Sequence, residues 1–246
     1  MNEQWKTAVI GGAIGAALAL AIVFGAGTLG LLPGAGDARI HAYLMAHPEI
    51  VFTMVKKAQD QQADEEQRQR QAAVDKIGLK RFSDPSVAFV TGPVGAKNTL
   101  VEFFDYNCGH CRNTVAAVKK FYGAHKSDTR FVFIEFPIFG EASTAAARAA
   151  IASRRQGDLY LALHFTLMSE TNPIDNDLLL ADAIKSGLDI KKLSADVLDP
   201  NVNKTIAAAH KLAEQALVNG TPTFIVNGKV HDGEISEAEL EKLTKS

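Results

Sequence analysis

The order of three segments between residues 99 and 136 constrains this chain more than any other feature. TLVEFF (99–104) has the apolar, β-branched and aromatic character of a strand. A short polar stretch then carries both cysteines of the 246-residue sequence, a helical pattern runs to about residue 122, and RFVFIEF (130–136) reads as a second strand. Strand, helix and strand in that order form a β-α-β unit, and the alternation of strand and helix signals from about residue 82 onward predicts an α/β domain. The unit places Cys108-Gly109-His110-Cys111 at a strand-to-helix junction. Along the helix, Cys111, Val115, Val118 and Tyr122 recur at spacings of four, three and four, so they share one face directed at the core. Cys111 is therefore expected to be buried, and Cys108 exposed at the tip.

A cysteine pair of this spacing has three readings: a redox catalyst, half of a metal site, or a structural staple. A staple gains little, because so small a loop removes almost no unfolded-chain entropy. A metal site lacks its other half, since the chain has no second cysteine pair and its four methionines are scattered, so no metal is expected. Cysteine hydrolase chemistry would leave Cys111 without a role, and His164, alone in an apolar stretch, reads as packed or surface rather than catalytic. Thiol-disulfide exchange uses both thiols, one to attack and a shielded one to resolve. At a helix amino terminus, unpaired N–H groups and the dipole favour the Cys108 thiolate, and a protonated His110 can stabilise the same anion. No cofactor is expected beyond the redox-active disulfide that Cys108 and Cys111 can form.

The amino-terminal region differs in character. No charged residue occurs from 7 to 36, long enough to span a bilayer, so residues 7–32 read as a membrane anchor, with a cleaved signal sequence over 1–36 as the alternative. Residues 37–81 turn polar and helix-prone and read as a stalk, with helices near 37–44 and from Pro48. Val51, Met54, Val55 and Ala58 form an apolar stripe that could support a homo-oligomer through residues 37–75, although no heptad pattern persists. QQADEEQRQRQ (61–71) reads as a solvated helix in which Glu65 and Glu66 can pair with Arg68 and Arg70. A net charge of -2 without a basic block argues against a nucleic-acid partner.

TLVEFFDYNCGHCR (99–112) resembles the active-site segment of the DsbA-like branch of the thioredoxin superfamily, bacterial periplasmic thiol-disulfide oxidoreductases. FPIFGEAS (136–143) and NGTPTFIVNG (219–228) are similar to two further family segments, and the resemblance covers about 82–246. It implies a thioredoxin-like fold with a helical insertion over about 141–219, a buried acid at Glu102 beside the cysteines, and a cis-proline loop at Thr221 and Pro222 that receives extended substrate. The implied partners are exported proteins with thiols or disulfides and a membrane redox protein that reoxidises or reduces the pair; the implied location is the periplasm. The Gly-His dipeptide and Thr221 differ from the Pro-His and Val of DsbA oxidases and resemble isomerases or reductases, so the direction of electron flow stays open. The HPEI segment (47–50) resembles the stalk of ScsC-type members, some of which oligomerise. A reading of another class is an anchored, non-catalytic binding module with a fixed disulfide or a Cu(I) site.

Overall fold

A computed structural model describes residues 35–245, so the anchor read over 7–32 lies outside the described residues. In chain order the elements are α1 (Ala35–Ala46), α2 (Pro48–Ile77), α3 (Leu79–Phe82), β1 (Phe89–Thr91), β2 (Asn98–Phe104), α4 (Gly109–His125) and β3 (Thr129–Glu135). They continue with α5 (Glu141–Ser153), α6 (Leu159–Met168), α7 (Asn176–Lys185), α8 (Ile190–Asp196), α9 (Pro200–Gln215), β4 (Thr223–Val226), β5 (Lys229–Asp232) and α10 (Glu237–Lys245). Among the described residues no helix is long and apolar enough to cross a membrane. The chain divides into two compact units between Asp64 and Glu65.

The second unit is built on a five-stranded sheet of order β1-β3-β2-β4-β5. β2 and β3 pair in parallel across α4, as the β-α-β unit requires, while β1, β4 and β5 join antiparallel. Alternation along the central strands sends successive side chains to opposite faces. Leu100, Phe104, Phe131, Phe133, Phe224 and Val226 face one core, covered by α4, α10 and the helices α5 to α8. Val101, Phe103, Val132, Ile134 and Ile225 face the other, covered by Val74 of α2, Phe82 of α3 and Ala209, Leu212 and Ala213 of α9. Glu102 lies in phase with Leu100 and Phe104, so its carboxyl is directed into the first core.

The helical insertion runs from α5 through α9, and its last three helices start where short polar side chains cap them: Asp175, Asp189 and Asp199 each accept from a backbone amide of the first turn. Three elements escape sequence reading, the first of them α3, a single turn of four residues. β1 has only three residues, and α8 is a seven-residue helix without a full apolar period.

From Glu65 onward α2 does not behave as a solvated helix. Arg68 pairs with Glu65 at 2.6 Å as read from sequence, but Arg70 does not join that surface pair; its guanidinium bonds to Asp232 and to the Leu217 carbonyl. Gln71 donates to Gly228 O at 2.7 Å and accepts from Val230 N at 3.0 Å, and Gln67 donates to Val230 O at 3.1 Å. These glutamines occupy the outer hydrogen-bonding side of β5, which as an edge strand would otherwise offer open backbone groups. The described residues of the first unit are helical, and Val51, Met54 and Val55 are exposed among them.

Candidate active site

Two loops and one helix end meet around the cysteines. β2 delivers the chain to Asp105, whose buried carboxylate accepts from Asn107 N at 2.7 Å, Ile138 N at 2.7 Å and Phe139 N at 3.1 Å. One side chain therefore holds both the loop that carries Cys108 and the loop that follows β3. α4 begins at Gly109 with Cys108 as its N-cap, and the Cys108 sulfur accepts from Cys111 N at 3.4 Å. Opposite lies the turn before β4, in which the Thr221–Pro222 bond is cis. The Cys108 thiol donates to the Thr221 carbonyl at 3.2 Å.

Both cysteines are free thiols and both are buried. Cys111 lies inward as expected, on the buried face with Thr114, Val118 and Phe121, and Val115 and Tyr122 are half-buried beside it. The expected exposure of Cys108 does not hold, because it is only 2% exposed. An N-cap side chain turns back over the first helical turn rather than outward, and the Thr221 turn closes over what remains. Helix phase predicts which way Cys111 points but says nothing of a distant loop packing on Cys108.

The two thiols respond to these surroundings in opposite senses. Cys108 is lowered to about 6, foremost by the hydrogen bond from the Cys111 thiol, then by the Thr221 side chain and the backbone amides of Cys111 and His110, against the opposing effect of burial. Cys111 is pushed well above the ordinary thiol range, first by burial and then by its bond to Cys108. Near neutrality the pair thus holds one thiolate, on Cys108, and one proton, on Cys111.

Glu102 is 1% exposed, its Oε2 has no hydrogen-bond partner, and burial raises its carboxyl to about 8. It faces the interior beside Cys111, whose acidity its charge influences. A buried Glu without a cationic partner keeps its proton near neutral pH because desolvation penalises the anion. Further inside, His164 is buried, lowered to about 3 by burial and hence neutral, and its Nδ1 lies 3.2 Å from the Tyr106 hydroxyl. Buried Glu135 is paired with half-buried Arg154 nearby.

His110 is exposed, and its ring is hydrogen-bonded to a carboxylate while still within electrostatic reach of Cys108. Its Nδ1 lies 2.7 Å from Glu234 Oε1, which also accepts from Asn113 Nδ2 at 2.8 Å. The expected support of the Cys108 anion by His110 therefore reaches it chiefly through the backbone amide, the imidazole being engaged elsewhere. A groove of about 440 Å³ runs from His110 past Gly220, Thr221 and Pro222 to Asp232, Glu234 and Arg70. Sequence reading placed Glu102, Cys108, His110, Cys111, Thr221 and Pro222 at this site, and all six converge on it. It did not single out Asp105, Arg70 or Glu234. An aspartate two residues before a turn amide is a recognisable turn signal, whereas nothing local marks the other two.

A thioredoxin-type sheet with a C-x-x-C pair at a helix amino terminus, facing a cis-proline turn, defines the class of thiol-disulfide oxidoreductases. The family model of the DSBA-like thioredoxin domain matches residues 99–245, and the chain belongs to that family. A thioredoxin-like oxidoreductase from Silicibacter pomeroyi is 38% identical with a TM-score of 0.62, over 67% of this chain and 93% of that one. BcfH of Salmonella enterica Typhimurium, 24% identical, superposes over 94% of this chain and 98% of its own with a TM-score of 0.70, a likeness of fold. ScsC of Proteus mirabilis in a transitional conformation shares the fold as well, at 24% identity and a TM-score of 0.63 over 87% of this chain and 95% of that one. A curated relative, a Na(+)/H(+) antiporter NhaA of Herminiimonas arsenicoxydans, is 28% identical over 59% of this chain but only 23% of its own length. The chain spans about a quarter of the length of the curated relatives it matches.

Proposed function

We propose that this protein exchanges disulfides with exported proteins through Cys108 and Cys111, on the periplasmic side of a membrane to which residues 7–32 anchor it. The observation that carries this reading is the split between the two thiols: Cys108, lowered to about 6, lies beside the Thr221 carbonyl of the cis-proline turn, and Cys111 is shielded behind it. A relative of the same fold, from Salmonella, is described as a periplasmic thioredoxin-like protein, which supports the location.

In the reducing direction the Cys108 thiolate attacks one sulfur of a substrate disulfide, the substrate S–S bond breaks, and one substrate sulfur departs as a thiolate. Cys111 then loses its proton and attacks the Cys108 sulfur. The mixed disulfide breaks, the second substrate thiolate leaves, and Cys108 and Cys111 hold the new disulfide. Glu102, beside Cys111, takes that proton when it is in its carboxylate form, and in the reverse direction its protonated form gives one back to Cys111. Thr221 and Pro222 present the turn along which an extended substrate lies, and the groove past His110 is its approach. Oxidation of substrate thiols runs the same steps backwards, and the reduction potential of the pair decides which direction prevails. A membrane redox protein resets the pair.

The test is exchange itself. The full-length protein should catalyse insulin reduction by dithiothreitol, and Cys108→Ala should abolish it. Cys111→Ala should accumulate mixed disulfides on Cys108 in a periplasmic extract. Unchanged activity in both variants, or no adducts in the second, would overturn the reading.

A further inference from the structure

His110 faces two anions, the Cys108 thiolate and the Glu234 carboxylate, and its ring is committed to Glu234. That carboxylate is held in place. Gly233 N donates to Pro222 O at 2.9 Å, His231 Nε2 bonds to Glu234 O at 3.0 Å, and Asn113 grips the same oxygen that meets His110. His110 and Asn113 stand three residues apart on the first turn of α4, so Glu234 bridges one face of the helix end on which Cys108 sits. Arg70 and Asp232, the other charged groups along this groove, pair with each other.

We propose that Glu234 is a positioning residue that makes the Cys108–Cys111 disulfide less oxidising, by holding the His110 imidazole in a neutral ion pair away from Cys108. This rests on the oxidoreductase reading above and deepens it. An imidazolium free to lean over Cys108 stabilises the thiolate, hence the reduced protein, and makes the disulfide a stronger oxidant. Paired with a carboxylate, the same imidazolium presents little net charge to the sulfur. The Gly-His dipeptide therefore does not act alone; a residue 124 positions further along the chain restrains it.

The exchange measured is the reduced pair plus oxidised glutathione giving the Cys108–Cys111 disulfide plus two reduced glutathiones, two electrons and two protons passing from the protein thiols to glutathione. In Glu234→Gln, which keeps an oxygen for Asn113, the equilibrium should move toward reduced protein by about three- to tenfold near pH 6, where a free histidine is largely charged, and by little near pH 8. A tenfold change corresponds to about 30 mV. The Cys108 thiolate absorbance should titrate at lower pH in the same variant. In a His110→Ala background Glu234→Gln should change nothing. Overlapping equilibria for wild type and Glu234→Gln near pH 6, or an equal shift without His110, would overturn the proposal. Failure of the wild-type protein to equilibrate with glutathione at all would instead overturn the underlying oxidoreductase reading.

Discussion

Cys108 and Cys111 sit three positions apart, yet hydrogen bonding and burial drive their acidities in opposite directions. The Cys111 thiol is the foremost influence holding Cys108 down to about 6. Cys111→Ala should therefore raise the midpoint of the Cys108 thiolate absorbance by about one pH unit toward the unperturbed value near 8.5. Cys111→Ser, which keeps a donor, should raise it less. Equal midpoints in wild type and Cys111→Ala would mean that Thr221 and the backbone amides suffice. Glu102 makes a separate prediction. Its folded-state value of about 8 lies above that of an unfolded Glu, so the native state binds the extra proton and stability falls as pH rises through roughly 4.5 to 8. The change attributable to this one carboxyl is on the order of 3–5 kcal/mol. Glu102→Gln should flatten that part of the slope in denaturant titrations and be the more stable protein near pH 8; Glu135, also raised by burial, keeps some slope in the variant. Parallel pH profiles for the two proteins would contradict the assignment. The burial of Glu102 was implied by the family resemblance and not by its strand, which could as well have turned it to solvent, and its lack of a cationic partner depends on what the neighbouring strands and helices bring.

Elements show the same division between local pattern and distant contact. β2, α4 and β3 are readable because each is long, periodic and bounded by turn residues, and the Asp-capped starts of α7 and α9 follow familiar rules. α2 is readable as a helix, but its purpose near β5 is not. Gln67 and Gln71 are ordinary exposed-helix residues in sequence, and only the packed structure turns them into partners for an edge strand. Gln71→Ala leaves Val230 N and Gly228 O without their partner and should destabilise the domain by about 1–3 kcal/mol. Gln67→Ala, which frees one carbonyl, should cost less, and Gln61→Ala, on the exposed stretch, close to nothing. Chemical denaturation of the full-length protein ranks the three; equal midpoints for Gln61→Ala and Gln71→Ala would show that the edge contacts add nothing to stability.

At the scale of the whole molecule, the exposed Ile40, Phe52, Met54 and Val55 support the proposal that the protein self-associates through residues 37–75. Sedimentation of the full-length protein in mild detergent should show an oligomer, and Phe52→Asp combined with Val55→Asp should lower its mass toward that of a monomer; a wild-type monomer at micromolar concentration would overturn this. The sequence by itself determined the α/β class, the β-α-β frame around the cysteine pair and the inward face of Cys111, since each depends on periodicity over a few consecutive residues. Only the tertiary structure decided that Cys108 is covered, that His110 answers to Glu234, and that Arg70 binds Asp232. The last two pairs join residues 124 and 162 positions apart, and each is a choice among competing charged partners. Local pattern has no means of ranking such choices, because the outcome depends on which loops the packed sheet brings within hydrogen-bonding distance.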